Sequence, residues 1–119
     1  MVIVDIILAT ICFSVPPTGE YVCEPALVGL DTPRGTYVLQ QRLTNDPLYG
    51  GDVLQFREDA KELYAIHRVW LGNPAEHRAK RLRSTNASDR KITKGCINVT
   101  PEVYARLLDC CSGETLLIK

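Results

Sequence analysis

Three features predict a mostly-β fold: short runs rich in β-branched residues, Gly- and Pro-bearing turns between them, and only two stretches that carry helix caps. Residues 2–7 and 9–15 are dense in Val and Ile and read as an apolar opening strand region, closed by the turn chemistry of Pro16, Pro17, Thr18 and Gly19. A second strand is expected over 20–28, ending at Gly29. Asp31-Thr32-Pro33-Arg34-Gly35 then makes a tight connection to an extended run over 36–40. Residues 45–51, with Asn45, Pro47 and Gly50-Gly51, form a loop. Beyond it, 52–56 reads as a short strand, 57–61 as a turn and 63–70 as a strand that carries His67.

The pattern changes after Asn73. Asn73 is a suitable N-cap, Pro74 occupies the first helical position, and Glu76 falls three residues after the cap, as a capping box requires. A short helix is expected over 74–83, followed by a polar loop over 84–91. The same signal recurs at Thr100-Pro101-Glu102, where Val103 with Leu107 and Tyr104 with Leu108 form i,i+4 pairs. This second helix should stop near residues 111–113, and 114–118 closes the chain as a strand. No internal repeat or low-complexity tract interrupts the order.

A length of 119 residues and an apolar fraction of 45% suit one compact domain over 1–119. With 14 basic against 14 acidic residues, no global charge argues for nucleic acid or a membrane surface. The distribution is uneven, because acidic residues dominate 1–66 while Arg68, Arg78, Lys80, Arg81, Arg83, Arg90, Lys91 and Lys94 gather near the His67-to-Cys96 interval. That bias suits an anionic small ligand, and equally a solvated helix face with a charged loop. Of the five cysteines, Cys12 and Cys23 lie in apolar strand-like runs and are expected to be small buried hydrophobes. Cys110 and Cys111 sit at a helix end, where packing or pairing with another chain is expected. No Cys/His spacing suggests zinc. Residues 1–15 approach the length of a signal-peptide core, but Asp5 interrupts them, no Lys or Arg precedes them, and no small-x-small site follows. They are too short to span a bilayer, so a buried strand is expected, with no recognisable export signal and no transmembrane segment.

The stretch with most chemical content is Ile92-Thr93-Lys94-Gly95-Cys96-Ile97-Asn98-Val99. A thiol on a glycine-permitted turn is placed as a nucleophile, and His67 upstream can serve as its base, the minimal pair for covalent catalysis. Gly95 allows close backbone approach, and amides around Cys96 could face a developing oxyanion. Each residue alone would more often be an ordinary core cysteine or strand histidine.

The segments Thr32-Pro33-x-Gly35-Thr36-Tyr37, Ala65-Ile66-His67 and Thr93-x-Gly95-Cys96-Ile97-Asn98, in that order, resemble the L,D-transpeptidase catalytic domain of bacterial cell-wall enzymes. The resemblance runs over nearly the whole chain, to Gly113-x-Thr115-x-x-Ile118. It implies a β-sandwich with two short helices and no metal or organic cofactor. It implies that a cysteine forms a thioester with a peptidoglycan stem peptide and releases D-alanine. The acyl group then passes to an amine, from a second stem peptide or a lipoprotein lysine, or to water, as in a carboxypeptidase or a toxin-like trimming enzyme. A location in the periplasm or cell envelope, a part in cell wall biogenesis and cell shape, and a monomeric state follow as expectations. Carried over by position, Cys96 would be the nucleophile, His67 the base, and Arg68 the residue whose carbonyl orients the imidazole. Gly95 and the Cys96 amide would serve the oxyanion, and Asn98 would brace the turn and face substrate.

Lys94 stands where the family usually has histidine. A cation there would depress the thiol pKa without supplying imidazole geometry, which keeps a non-catalytic wall-binding domain in view. The His67-to-Cys96 interval is longer than the common pattern, so 74–91 reads as an inserted basic lid. From it Arg81, Arg83 and Arg90 are candidates to pair with substrate carboxylates. His77 is expected at the surface, and Trp70, Tyr37 and Tyr64 are candidate cleft residues.

Overall fold

The alternation of buried and half-buried side chains in the opening residues builds the first sheet. The computed structural model describes residues 1–119, except for the side chain of Leu48. Strands β1 (Val2–Asp5), β2 (Thr10–Val15) and β3 (Glu20–Pro25) are successive antiparallel neighbours. They share a five-stranded sheet with β4 (Gly35–Val38) and β9 (Thr115–Ile118), in the order β3-β2-β1-β9-β4. The last strand pairs with the first in parallel, with Ile3 opposite Leu117. A second sheet, β5-β6-β7-β8, contains β5 (Gln40–Arg42), β6 (Val53–Glu58), β7 (Leu63–Arg68) and β8 (Ile97–Val99). Val2, Val4, Ile11, Phe13, Leu116 and Ile118 from one sheet share a buried core with Leu54, Phe56, Ile66, Ile97 and Val99 from the other.

Helix α1 (Arg78–Leu82) is a single turn or so, and α2 (Pro101–Cys111) is the main helix. The Thr100 side chain accepts the Val103 N–H, and Pro101 occupies the first turn, where its missing donor costs nothing. Val103, Tyr104, Leu107 and Cys111 form the buried stripe by which α2 packs against β2 and β7, one strand from each sheet. The architecture is therefore the mostly-β sandwich with two short helices that the sequence predicts.

Several local expectations are corrected. The apolar opening is a hairpin, not one strand: the Asp5 carboxylate accepts the Leu8 N–H, and Ala9 turns at φ 51. Cys12 and Cys23 are not buried, because the alternation that sends Ile11 and Phe13 inward sends Cys12 outward. The two cysteines lie directly opposite in the β2–β3 ladder, joined as a disulfide. Cys110 and Cys111 are joined to each other, not to another chain. The expected helix over 74–83 is broken at His77, which sits in the left-handed region at φ 53 between a 3-10 turn (Pro74–Glu76) and α1. The Asn73 cap does form, on the Ala75 N–H, but the Glu76 carboxylate pairs with Arg78 instead of closing a capping box. The polar loop ends in a 3-10 turn (Ala87–Arg90). β8, expected to be part of the cysteine turn, is a strand parallel to β7, with His67 opposite Asn98.

Candidate functional site

β7 and β8 carry the central residues, and their parallel pairing decides which ones meet. A segment over 26–29 fixes the cysteine turn from the other side. Leu27 and Asn98 exchange two backbone hydrogen bonds, 2.8 and 3.0 Å, and Val28 O accepts the Thr93 N–H. Gly29 is pressed so closely onto the Thr93 carbonyl that no Cβ would fit. The Thr32 hydroxyl accepts the Gly29 N–H, which explains why Thr32, far from any chemistry of its own, is buried. Within the turn, Thr93 Oγ1 donates to Cys96 O at 2.6 Å and accepts the Gly95 N–H at 3.3 Å. Gly95 adopts φ +134, and an added Cβ would lie 2.7 Å from the Tyr64 ring. Glycine is required there on both counts.

His67 is 2% exposed. Its Nδ1 lies 2.7 Å from Arg68 O. Donation to that carbonyl places the proton on Nδ1 and leaves Nε2 with the lone pair. Burial, outweighing the Arg68 carbonyl and joined by the charge of Arg78, lowers the imidazole pKa, so the ring is neutral near pH 7. Tyr49 packs edge-on against it with ring centroids 5.0 Å apart. The loop that holds Tyr49 is tied down by Arg68, whose guanidinium donates to Gly50 O and Asp52 O and pairs with the Asp52 carboxylate at 2.9 Å. Tyr104 donates to the same carboxylate. Burial works against the ionised form of Asp52, but hydrogen bonds from Arg68, Tyr104 and Gln41 prevail and keep its pKa below the usual value.

Cys96 and His67 line one cavity of about 430 Å³. Among the described residues the Cys96 thiol donates to Leu63 O at 3.4 Å, and no hydrogen bond joins it to His67. Burial pushes the thiol pKa up, and the Ala65 N–H and the charge of Arg78 only partly offset this. The expected lowering of the thiol pKa by Lys94 is thus corrected: Lys94 is exposed at the cavity and desolvation governs the thiol. Burial thus favours the neutral form of both partners.

The structure sorts the remaining sequence-derived candidates. Trp70 and Asn98 line the same cavity. Asn98 is fully buried, with Oδ1 accepting the Trp70 N–H and an Arg78 Nη1 proton, while its Nδ2 has no partner. An unsatisfied buried amide of this kind costs about 1–3 kcal/mol. Arg90 lies elsewhere: at 6% exposure it donates to Ala9 O, Leu8 O and Ser84 O, and so closes the β1–β2 turn onto the 84–90 loop. Arg81 is likewise spent on backbone carbonyls of Glu76 and Asp89. Arg83 is exposed and, with Arg81 and His77, borders a separate open cavity of about 720 Å³ that includes neither Cys96 nor His67. Tyr37 instead caps its own turn through Pro33 O and Arg34 O.

Sequence reasoning missed Tyr49, Glu62, Asn73, Glu76 and Arg78, all of which line the cavity. Arg78 was visible only as one of many cations, and the left-handed residue His77 is what turns it inward from the start of α1. Among the described residues no group of three or more His, Cys, Asp or Glu side chains converges as a metal site would require.

These features define a cysteine–histidine cleft at the edge of a β-sandwich. The chain has the fold of L,D-transpeptidases, as solved structures show. It is similar to Bd1075 from Bdellovibrio bacteriovorus (18% identity, TM-score 0.66), covering 100% of this chain and 47% of that one. An L,D-transpeptidase from Mycobacterium smegmatis matches at 23% identity and TM-score 0.59, over 99% of this chain and 57% of that one. An L,D-transpeptidase from Mycobacterium tuberculosis H37Rv matches at 17% identity and TM-score 0.63, over 99% and 56%. The chain thus spans about half the length of these solved chains. No protein-family model matches it, and no curated protein matches it in sequence.

Proposed function

We propose that this chain is a single peptidoglycan-acting catalytic domain of the L,D-transpeptidase type, with Cys96 as nucleophile, His67 as general base and 74–91 as an added segment beside the cleft. The observation that carries the reading is the His67 Nδ1 contact with Arg68 O at 2.7 Å, which leaves Nε2 free as a base in the cavity shared with Cys96. In this reading the thiol leaves Leu63 O as substrate enters and gives its proton to Nε2. The sulfur attacks the carbonyl between the diamino acid and terminal D-alanine, and backbone amides of the Gly95-Cys96 turn face the oxyanion. His67 returns the proton to the leaving D-alanine amine, and a thioester remains. An acceptor amine then attacks the thioester, its proton passing through His67 to the departing thiolate.

A mechanism that starts from a neutral pair suits the raised thiol and lowered imidazole pKa, since proton transfer and attack then occur together. The Cys12–Cys23 disulfide supports an oxidising compartment, the cell envelope. Among the described residues no helix is long and apolar enough to cross a membrane.

Incubation with a carbapenem followed by mass spectrometry tests the reading. A single adduct on Cys96, absent from Cys96→Ala with an unchanged melting curve, is expected. No adduct on the folded wild type would sink it. Purified muropeptides then separate transfer from hydrolysis, since dimers or D-amino-acid exchange require transfer and trimmed monomers alone require a carboxypeptidase. The second reading, a wall-binding domain without turnover, is favoured by the thiol's hydrogen bond to Leu63 O. It predicts muropeptide binding with no adduct.

A further inference from the structure

We propose that Arg78 and the side-chain amide of Asn98 form a carboxylate-receiving site beside Cys96, which selects ligands carrying a carboxylate near the reacting carbon. The proposal deepens the acyl-transfer reading and rests on it for the identity of the donor, a stem peptide whose diamino acid bears a free carboxylate.

The site is built by side chains, not by surface cations. The Arg78 side chain is 13% exposed and stacks over Trp70, with its guanidinium carbon 5.2 Å from the ring centroid. Nε donates to the Glu76 carboxylate at 3.0 Å and Nη1 to Asn98 Oδ1 at 3.0 Å. Nη2 has no hydrogen-bond partner among the described residues. Because Oδ1 of Asn98 is held by the Trp70 N–H and by Arg78, the amide is fixed with Nδ2 as a spare donor. Asn98 is 0% exposed and lines the cavity of Cys96, so this unpartnered N–H is a permanent demand for an acceptor. A planar cation with free N–H groups beside a buried amide donor complements a carboxylate, which can accept from both. Glu76 already takes Nε of the same guanidinium, so a ligand carboxylate would meet the Nη2 edge and compete with that charge. The charge of Arg78 also acts on both Cys96 and His67. By contrast, Lys94 is exposed, and its solvated ammonium gives little discrimination.

Two alkylating agents of similar size, one anionic and one neutral, report on such a site without any need for turnover, since their intrinsic difference cancels when variants are compared. Cys96 is the free cysteine of the chain, the other four being paired, so total alkylation reads this thiol. The ratio of iodoacetate to iodoacetamide rates is measured on the full chain under non-reducing conditions. Arg78→Gln should lower that ratio at least about tenfold, the scale of one charge-assisted hydrogen bond. Glu76→Gln, which removes the competing carboxylate, should raise it, and Lys94→Gln should move it less than about twofold. An unchanged ratio in Arg78→Gln, or a fall as large in Lys94→Gln, overturns the proposal. If Arg78→Gln does not fold, an unchanged or lowered ratio in Glu76→Gln overturns it instead. A carbapenem adduct with a charge-blind ratio would leave the acyl-transfer reading standing and remove this inference; the converse result would do the opposite.

Discussion

The two walls of the cleft are held by different forces. The wall bearing Cys96, His67 and Asn98 is backbone-determined: β7 and β8 pair in parallel, and the 26–29 segment bonds to the outer side of β8. The facing residues Asn73, Glu76 and Arg78 belong to a short irregular segment whose ties are largely side-chain hydrogen bonds and one ion pair. Ladder hydrogen bonds add cooperatively and fix atoms closely, whereas isolated side-chain hydrogen bonds are each worth about 0.5–1.5 kcal/mol. Cys96, His67 and Asn98 therefore sit on the stiff wall, and Arg78 on the wall that tolerates change.

The largest expected effect that would break this contrast is at Gly95. Gly95→Ala puts a Cβ 2.7 Å from Tyr64 Cε1 at φ +134, so it should cost about 1–3 kcal/mol in backbone strain, with overpacking added. Acylation should fall about 100-fold if the thiol moves by about 1 Å. Adding Tyr64→Ala should recover the overpacking part alone. If Gly95→Ala acylates and melts like wild type, the wall is not stiff.

A smaller effect concerns pH. Folding lowers the His67 pKa, so its contribution to stability is complete above about pH 6.5 and is lost as pH falls through the folded value. Folding raises the Cys96 pKa, so that contribution is present below about pH 8.5 and is lost as pH rises through the folded value. Urea melts across pH should show both slopes, the alkaline one reduced in Cys96→Ala and the acidic one in His67→Gln. Iodoacetamide alkylation of resting Cys96 should have its midpoint above the ordinary thiol value, and a midpoint below pH 7 would contradict a desolvated thiol.

The smallest effect lies on the opposite wall. Asn73→Ala removes the cap on the Ala75 N–H and should cost about 1 kcal/mol or less, since the segment is exposed. Carbapenem acylation should change far less than in Gly95→Ala. Equal losses in the two variants would mean that the walls form one mechanical unit.

Particular residues show why legibility differed along the chain. Thr100, Pro101 and the Val103–Leu107 and Tyr104–Leu108 pairs announced α2, because caps and i,i+4 contacts are local. Cys96 and His67 were legible as a pair through an ordered motif. Arg90 was misjudged, since its partners Leu8 and Ala9 lie 82 and 81 positions away. Cys12 and Cys23 were misjudged because the face of a strand depends on register, which one extended run does not reveal. His77 broke a well-capped helix by adopting a left-handed conformation that its side chain does not advertise.

By itself, the sequence determined the strand-rich composition, the capped main helix, and a glycine–cysteine turn in order with an upstream histidine. Each of these rests on neighbours within a few positions. Only the tertiary structure decided that β8 lies parallel to β7, that Arg78 and not Arg81, Arg83 or Arg90 shares the cavity of the thiol, and that burial pushes the Cys96 pKa up. Those outcomes depend on burial and on contacts between distant segments, and desolvation has no signature in a linear sequence.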